Sequence, residues 1–281
     1  MTFKQLFKRT HVPDSPKPFD QTQPRPAPAT PLNPRRRGIV VGASGGIGAA
    51  LSRKLAREGF TLALIDRNKN VLQSLCDEIN RAAGEPRALF YEHDVTQYDS
   101  VSDTLRRVIA DLGGLDTLVY IAGVIHFPAM DEFNFTEDHK MVEVNLLGAM
   151  AWMSAVAPLF QSSKGGQIVG VSSVAGDRGR VGNPGYNASK AGLTNYLEAL
   201  RNRLTRHGVN VLTVKPGFVK TTATLKNVKN LMFAVEPDQA ADLIWDGMKK
   251  RKQTIYVAGI WKWIMLVIRH VPSVIFRRLS F

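Results

Sequence analysis

The 281-residue chain holds a single cysteine, Cys76, which excludes an intramolecular disulfide framework and fits a reducing compartment, the cytoplasm. It lacks any spacing of Cys, His or carboxylates suited to a metal ion, so no metal is expected. Near the N-terminus no apolar run reaches the length of a secretory leader, because Lys4, Lys8 and Arg9 interrupt Phe3, Leu6 and Phe7. There is no internal repeat of the roughly 20- to 50-residue kind that marks solenoids. Acid is missing from one end: residues 248–281 carry eight Lys and Arg and neither Asp nor Glu.

That last absence explains the formal charge of +13. Residues 1–37 carry eight more Lys and Arg against Asp14 and Asp20, which leaves 21 basic and 22 acidic side chains in between. A neutral body with two basic ends is not a basic groove, so no nucleic-acid partner is expected. Eight of the fifteen prolines fall between residues 13 and 34, in runs such as "PRPAPATP". Such a stretch cannot build helix or sheet ladders and buries little apolar surface. Residues 1–36 are therefore read as a flexible tether, 37–258 as the folded domain and 259–281 as a separate amphipathic segment.

Within the folded part, strands and helices alternate. A strand at Gly38–Val41, a glycine-rich turn, a helix carrying Leu51, Leu55 and Ala56, and a strand at Thr61–Ile65 make a βαβ unit. A helix near Asn70–Ala83, a strand at Ala88–Glu92, a helix near Tyr98–Leu112 and a strand at Thr117–Ile121 follow. A long helix over roughly residues 136–160, the strand "QIVGVSS", a helix opened by "YNASK" and the strand "NVLTVKP" complete the run. This pattern predicts one Rossmann-type, doubly wound α/β fold around a parallel sheet.

The turn "GASGGIG" places Gly42, Gly46 and Gly48, with Ser44 and Ile47 between them, after a strand and before a helix. Glycines there let the backbone approach a diphosphate, and the helix N-terminus supplies free N–H groups. Asp66 follows at the end of the next strand, where a carboxylate accepts from ribose hydroxyls and repels a 2′-phosphate. Arg67 beside it would hold a 2′-phosphate if Asp66 turned away. NAD is the expected cofactor, with NADP as the alternative.

Tyr186 and Lys190 stand four apart in "YNASK" and so share one side of a helix. With the glycine turn in front and this pair behind, residues 37–258 resemble the short-chain dehydrogenase/reductase family. The resemblance extends, in order, to "HDV" with Asp94 and Val95 as adenine contacts and to Ala122-Gly123 as a mid-sheet turn. It continues with Asn145 in the long helix, Ser173 in "VSSVAG", and the cofactor-binding segment "KPGFVKT" with Pro216 and Gly217, where Val219 and Thr221 would meet the nicotinamide amide. Two departures are visible: Val41 replaces a threonine, and Tyr120 and Ile121 replace a pair of asparagines. Both are expected to shape the turn and to leave the chemistry alone.

The resemblance implies oxidation or reduction at a carbinol carbon, which also moves a proton on oxygen. A free tyrosine ionises near pH 10, too high for a base at neutrality. A nearby ammonium and the oxidised nicotinamide ring favour the phenolate, which assigns Tyr186 as general acid or base and Lys190 as its activator and ribose ligand. Ser173 would hold the substrate oxygen, and Asn145 would fix a water that relays protons from Lys190. With Tyr186 in that role, His93 and His126 are left out of the chemistry. The resemblance further implies a homodimer or tetramer, paired through the long helices at roughly 136–160 and 187–207.

The substrate pocket is expected from Val124–Phe127, Asp177–Gly182 and the stretch after Thr221, a lid in which Leu225, Leu231, Met232 and Phe233 favour a lipophilic or lipid-linked alcohol or ketone. In the last segment the longest stretch without charge or proline, Trp263–Ile268 with its neighbours, is too short to span a bilayer. Helical projection lines up Lys262, Arg269, Ser273 and Ser280 against a broad apolar face, and Pro272 should split the helix. That composition suits the surface of an anionic membrane, on its cytoplasmic side. Two other functions are carried alongside: a soluble NADPH-dependent 3-oxoacyl thioester reductase, and a non-catalytic cofactor-binding scaffold.

Overall fold

The computed structural model describes residues 36–228 and 231–279, so the expected tether, apart from Arg36, and Ser280 lie outside the described residues. Seven strands form one parallel sheet in the order β3-β2-β1-β4-β5-β6-β7. They are β1 (Arg36–Val41), β2 (Phe60–Asp66), β3 (Ala88–Glu92), β4 (Thr117–Tyr120), β5 (Gln167–Val171), β6 (Asn210–Pro216) and β7 (Thr254–Val257). The central strands are unbroken apolar runs because both faces are covered. Along β1, Ile39 and Val41 face one layer and Val40 the other. The first layer is α3 (Val101–Leu112), α5 (Gly148–Ser163) and α6 (Pro184–Leu204); the second is α1 (Gly46–Arg57), α2 (Lys69–Ala83) and α8 (Pro237–Lys249), and a short helix α7 (Thr222–Asn227) follows β6. This is the Rossmann-type α/β architecture the alternation predicts.

At the foot of the sheet Arg37 and Asp116 form a buried two-pronged pair, Nε to Oδ2 at 2.9 Å and Nη2 to Oδ1 at 3.0 Å. The pair fastens β1 to the start of β4. Breaking such a pair by removing one partner typically costs about 3–5 kcal/mol, because the other charge stays buried.

Three features differ from the sequence expectation. The single helix expected over 136–160 is α4 (Phe135–Val142) and α5 joined by a π-helical turn, Glu143–Leu147. The buried Tyr120 hydroxyl donates to the Val144 carbonyl at 2.6 Å, taking up an acceptor within the distorted turn. One of the two departures from the family pattern thus shapes the helix that carries Asn145. The run Phe135–Ser163 has the length and apolarity of a bilayer span, yet Trp152, Met153, Val156 and Phe160 pack it onto the sheet.

Second, α8 and β7 were not expected. Helix α8 carries a start signal, Pro237 in the first turn and a capping box between Glu236 and Gln239. Strand β7 is a four-residue, partly exposed edge whose pattern is too short to read. Third, the C-terminal segment forms α9 (Ile260–His270) and α10 (Ser273–Phe276), split at Pro272 as expected, but α9 is docked on the body. Trp261 and Met265, one turn apart, pack with Val174 and Phe218. The Arg178 guanidinium donates to the Ile268 carbonyl at 2.5 Å and the Val271 carbonyl at 2.6 Å, which caps α9, and stacks 3.9 Å from the Phe276 ring centre.

Candidate active site

A cavity of about 680 Å³ opens at the C-terminal ends of β1, β4, β5 and β6, where open α/β sheets bind ligands. Gly42 forms its floor with φ +93°, and a Cβ there would collide with the Ala122 amide nitrogen. Only glycine lets the β1 turn lie against the turn after β4. The cap residue of α1, Gly45, has no side-chain hydrogen bond to the helix, and no acid occupies the first turn. The first-turn N–H groups therefore keep the partial positive charge that receives a diphosphate.

Asp66 stands at the rim of this turn, accepting from the Ser44 amide at 3.2 Å and the Arg67 amide at 2.8 Å. The His93 amide donates to the Asp66 carbonyl, which brings Asp94 to the same edge. The Thr96 amide holds the Asp94 carboxyl below its usual range. Of the expected cofactor residues, Gly42, Ser44, Gly46, Ile47, Gly48, Gly123, Pro216, Gly217, Val219 and Thr221 line the cavity with Tyr186 and Lys190. Asp66, Arg67, Asp94, Val95 and Ala122 lie outside that lining. The glycine cradle and the rim carboxylate fit a dinucleotide.

Helix α6 begins with Asn183, whose side chain accepts from the Tyr186 amide at 3.0 Å, and with Pro184, pre-set for a first turn. This start places Tyr186 and Lys190 on the cavity side, the ammonium 5.7 Å from the phenol ring centre. The Ser172 hydroxyl donates to the Lys190 carbonyl at 2.8 Å, which fastens the β5 end to α6. Ser173, the next residue, is hydrogen-bonded to Tyr186. Burial pushes the Tyr186 phenol up, while the Ser173 hydrogen bond and the Arg180 charge oppose the rise. Burial also pushes Lys190 down to about 8, and its Nζ donates to the Val171 carbonyl at 3.1 Å.

Asn145 is fully buried. Its Oδ1 accepts from the Val124 amide at 2.8 Å, and its Nδ2 donates to the Val124 carbonyl and to Ser189 Oγ, both at 3.0 Å. Ser189 in turn donates to the Tyr186 carbonyl at 2.9 Å, so Asn145 is wired to the first turn of α6. A Cβ on Gly123 would lie 3.2 Å from Asn145 Oδ1 and 3.3 Å from Lys190 Nζ. That glycine is the gap through which the two side chains face each other.

Sequence reasoning did not single out Ser189, Phe218 or Trp261, and it reached Arg180 only as part of the 177–182 stretch expected at the substrate pocket. Ser189 sits inside "YNASK", where helical spacing already placed it beside Tyr186; nothing in the sequence marked Trp261 as a cavity residue. The two histidines are otherwise engaged, His93 Nε2 lying 3.0 Å from Ser100 Oγ and His126 Nε2 2.8 Å from Glu132. No group of three metal-ligating side chains exists among the described residues.

Residues 37–231 match the family model described as short chain dehydrogenase. The chain belongs to that family. An oxidoreductase from Myxococcus xanthus of uncharacterised activity is 38% identical over 216 residues, 76% of this chain and 83% of that protein. A ketoacyl reductase from Nostoc is 28% identical over 223 residues, 78% of this chain and 77% of the other. The crystal structure of an actinorhodin polyketide ketoreductase variant with NADPH superposes with a TM-score of 0.72 at 25% identity, covering 79% of this chain and 95% of that one. This short-chain dehydrogenase is accordingly an NAD(P)-dependent oxidoreductase.

Proposed function

We propose that the enzyme moves a hydride between NAD(H) and a lipophilic or lipid-linked alcohol or ketone, with Tyr186 as the proton donor or acceptor. The observation that carries this reading is the shared cavity: the phosphate turn, Ser173, Tyr186 and Lys190 line one volume that also has an apolar stretch of wall from Ile125, Phe127, Phe218 and Trp261. When bound, the nicotinamide supplies or accepts the hydride. Tyr186 gives a proton to the substrate oxygen or takes one, Ser173 donates a hydrogen bond to the same oxygen, and Lys190 holds positive charge beside the phenol. Asn145 aligns the first turn of α6 and fixes a water that relays protons from Lys190. A phenol is protonated at neutrality and burial pushes Tyr186 further that way, so the resting site is set for carbonyl reduction. Asp66 places negative charge where an additional phosphate would stand, which supports NAD over NADP.

Initial rates with NADH and NADPH on ketones of increasing chain length test the reading. NADH is expected to be favoured by about tenfold or more in kcat/KM, equivalent to about 1.4 kcal/mol. Each added methylene should raise kcat/KM by up to about fourfold until the cavity is filled, from about 0.8 kcal/mol of burial. Absence of turnover with either cofactor on every carbonyl would overturn it. The names of the Nostoc and polyketide relatives favour a second reading, a soluble 3-oxoacyl thioester reductase. NADPH-specific turnover of a 3-oxoacyl thioester, indifferent to lipid, would install that reading instead.

The proposal includes docking of a cytoplasmic homodimer or tetramer on an anionic membrane face. Its support is the outward side of the C-terminal helices, where Trp263 is 60% exposed and Val267 66%, among Lys262, Arg269, Arg277 and Arg278. Such a face suits the interface of acidic lipids. Removing residues 259–281 would also strip Trp261 and Met265 from the body, so Trp263→Glu with Val267→Glu is the cleaner variant. It should release the protein from phosphatidylserine vesicles in a flotation assay. Failure of the unaltered protein to float with those vesicles would end the membrane proposal.

A further inference from the structure

The cavity lining contains two cations, Arg180 and Lys190, and no acid. Lys190 is accounted for by the Val171 carbonyl and by Tyr186. Arg180 is not. Its guanidinium makes no hydrogen bond or ion pair with any described residue, although it is largely withdrawn from water and burial weakens its hold on the proton. Asp177, three residues earlier, already has partners: it forms an ion pair with Lys215 and accepts from the Tyr256 hydroxyl at 2.8 Å. Even a half-buried guanidinium in a cavity wall is usually matched by a carboxylate or phosphate, because desolvating it unpaired is costly.

The loop that bears Arg180 is held at several points. Asn187 Nδ2 donates to the Arg180 carbonyl at 2.9 Å, one turn of α6 beyond the Asn183 cap. Two residues before it, Arg178 is spent on the end of α9. The backbone is thus fastened while the Arg180 side chain keeps five donors for something outside the chain. It stands near enough to Tyr186 for each to act on the other's charge, on the stretch between Ser173 and the start of α6.

We propose that Arg180 is the anion-recognising residue of the substrate site, so that the substrate of this enzyme carries a carboxylate or a phosphate besides the reacting carbon. This rests on the reading that substrate occupies the part of the cavity walled by Phe127, Phe218 and Trp261. A planar guanidinium would take either anion through two parallel hydrogen bonds.

The test is calorimetric titration of the NADH-loaded protein, with the phosphate turn already filled, using dodecanoate, dodecyl phosphate, dodecanol and butanoate. At least one long anion should bind about tenfold or more tightly than dodecanol. Arg180→Gln should erase that advantage, and Arg180→Lys should restore part of it. Which anion wins identifies a carboxylate or a phosphate as the substrate group. Equal affinity for anion and alcohol, no anion binding, or an advantage that survives Arg180→Gln would overturn the proposal. Butanoate binding as tightly as dodecanoate, with the Arg180 dependence intact, would instead leave Arg180 in place and remove the lipophilic substrate.

Discussion

Tyr186→Phe is expected to lower kcat for carbonyl reduction by about 10²–10⁴-fold, the usual contribution of a placed acid–base group. The change removes one oxygen. The ring keeps its place in the first turn of α6, the Lys190 ammonium remains 5.7 Å from the ring centre, and the glycine turn is untouched. NADH affinity, followed by fluorescence, should therefore stay within about twofold. The pH dependence offers a second readout. With the phenol pushed up by burial, alcohol oxidation needs a minority phenolate, so its rate should climb through neutrality by about tenfold per pH unit. A variant that keeps near-normal kcat would show that the proton comes from elsewhere.

Lys190→Met is expected to stabilise the fold while it abolishes turnover. Burial alone drives Lys190 down to about 8 from an unfolded value of 10.5, so the folded state carries an ammonium it would rather lose. At roughly 1.36 kcal/mol per pH unit, that cation opposes folding by about 3 kcal/mol at neutrality. The folded pKa lies below the unfolded one, so the unfolded chain binds more protons between them. The penalty is complete below pH 8 and is relieved as pH rises towards 10.5. Urea unfolding should thus show the wild type gaining on the methionine variant between pH 8 and 10.5, with the variant ahead at pH 7. The lost hydrogen bond to the Val171 carbonyl offsets about 1 kcal/mol of the gain. Equal stabilities at pH 7 and no relative change by pH 10.5 would mean that Lys190 is not held as a strained cation.

The two results together would separate the phenol's role from the lysine's. Among the groups that act on the Tyr186 phenol, the Ser173 hydrogen bond and the Arg180 charge oppose the effect of burial. The simple pairing of a phenol with an ammonium four residues on is therefore incomplete. The loop between Ser173 and Asn183 brings a second cation to the same site.

Much of this protein was legible in one dimension. Apolar runs buried on both faces dictate a parallel sheet, and the glycine turn, the acid at the end of β2 and the Tyr186–Lys190 spacing are local patterns whose geometry follows from strand and helix periods. Their chain order sufficed to place the reaction class. What the sequence could not state is which way loop side chains turn. In "GDRGRVGNPG" two arginines stand two apart; Arg178 runs outward to cap α9, whereas Arg180 runs inward to the cavity. Trp261 and Trp263 divide in the same way, one buried in the cavity wall and the other in solvent, because residues two apart on a helix point to opposite sides and only docking decides which side is covered. Periodicity comes from the backbone alone, but the choice between two equivalent faces is made by distant residues that no local pattern contains.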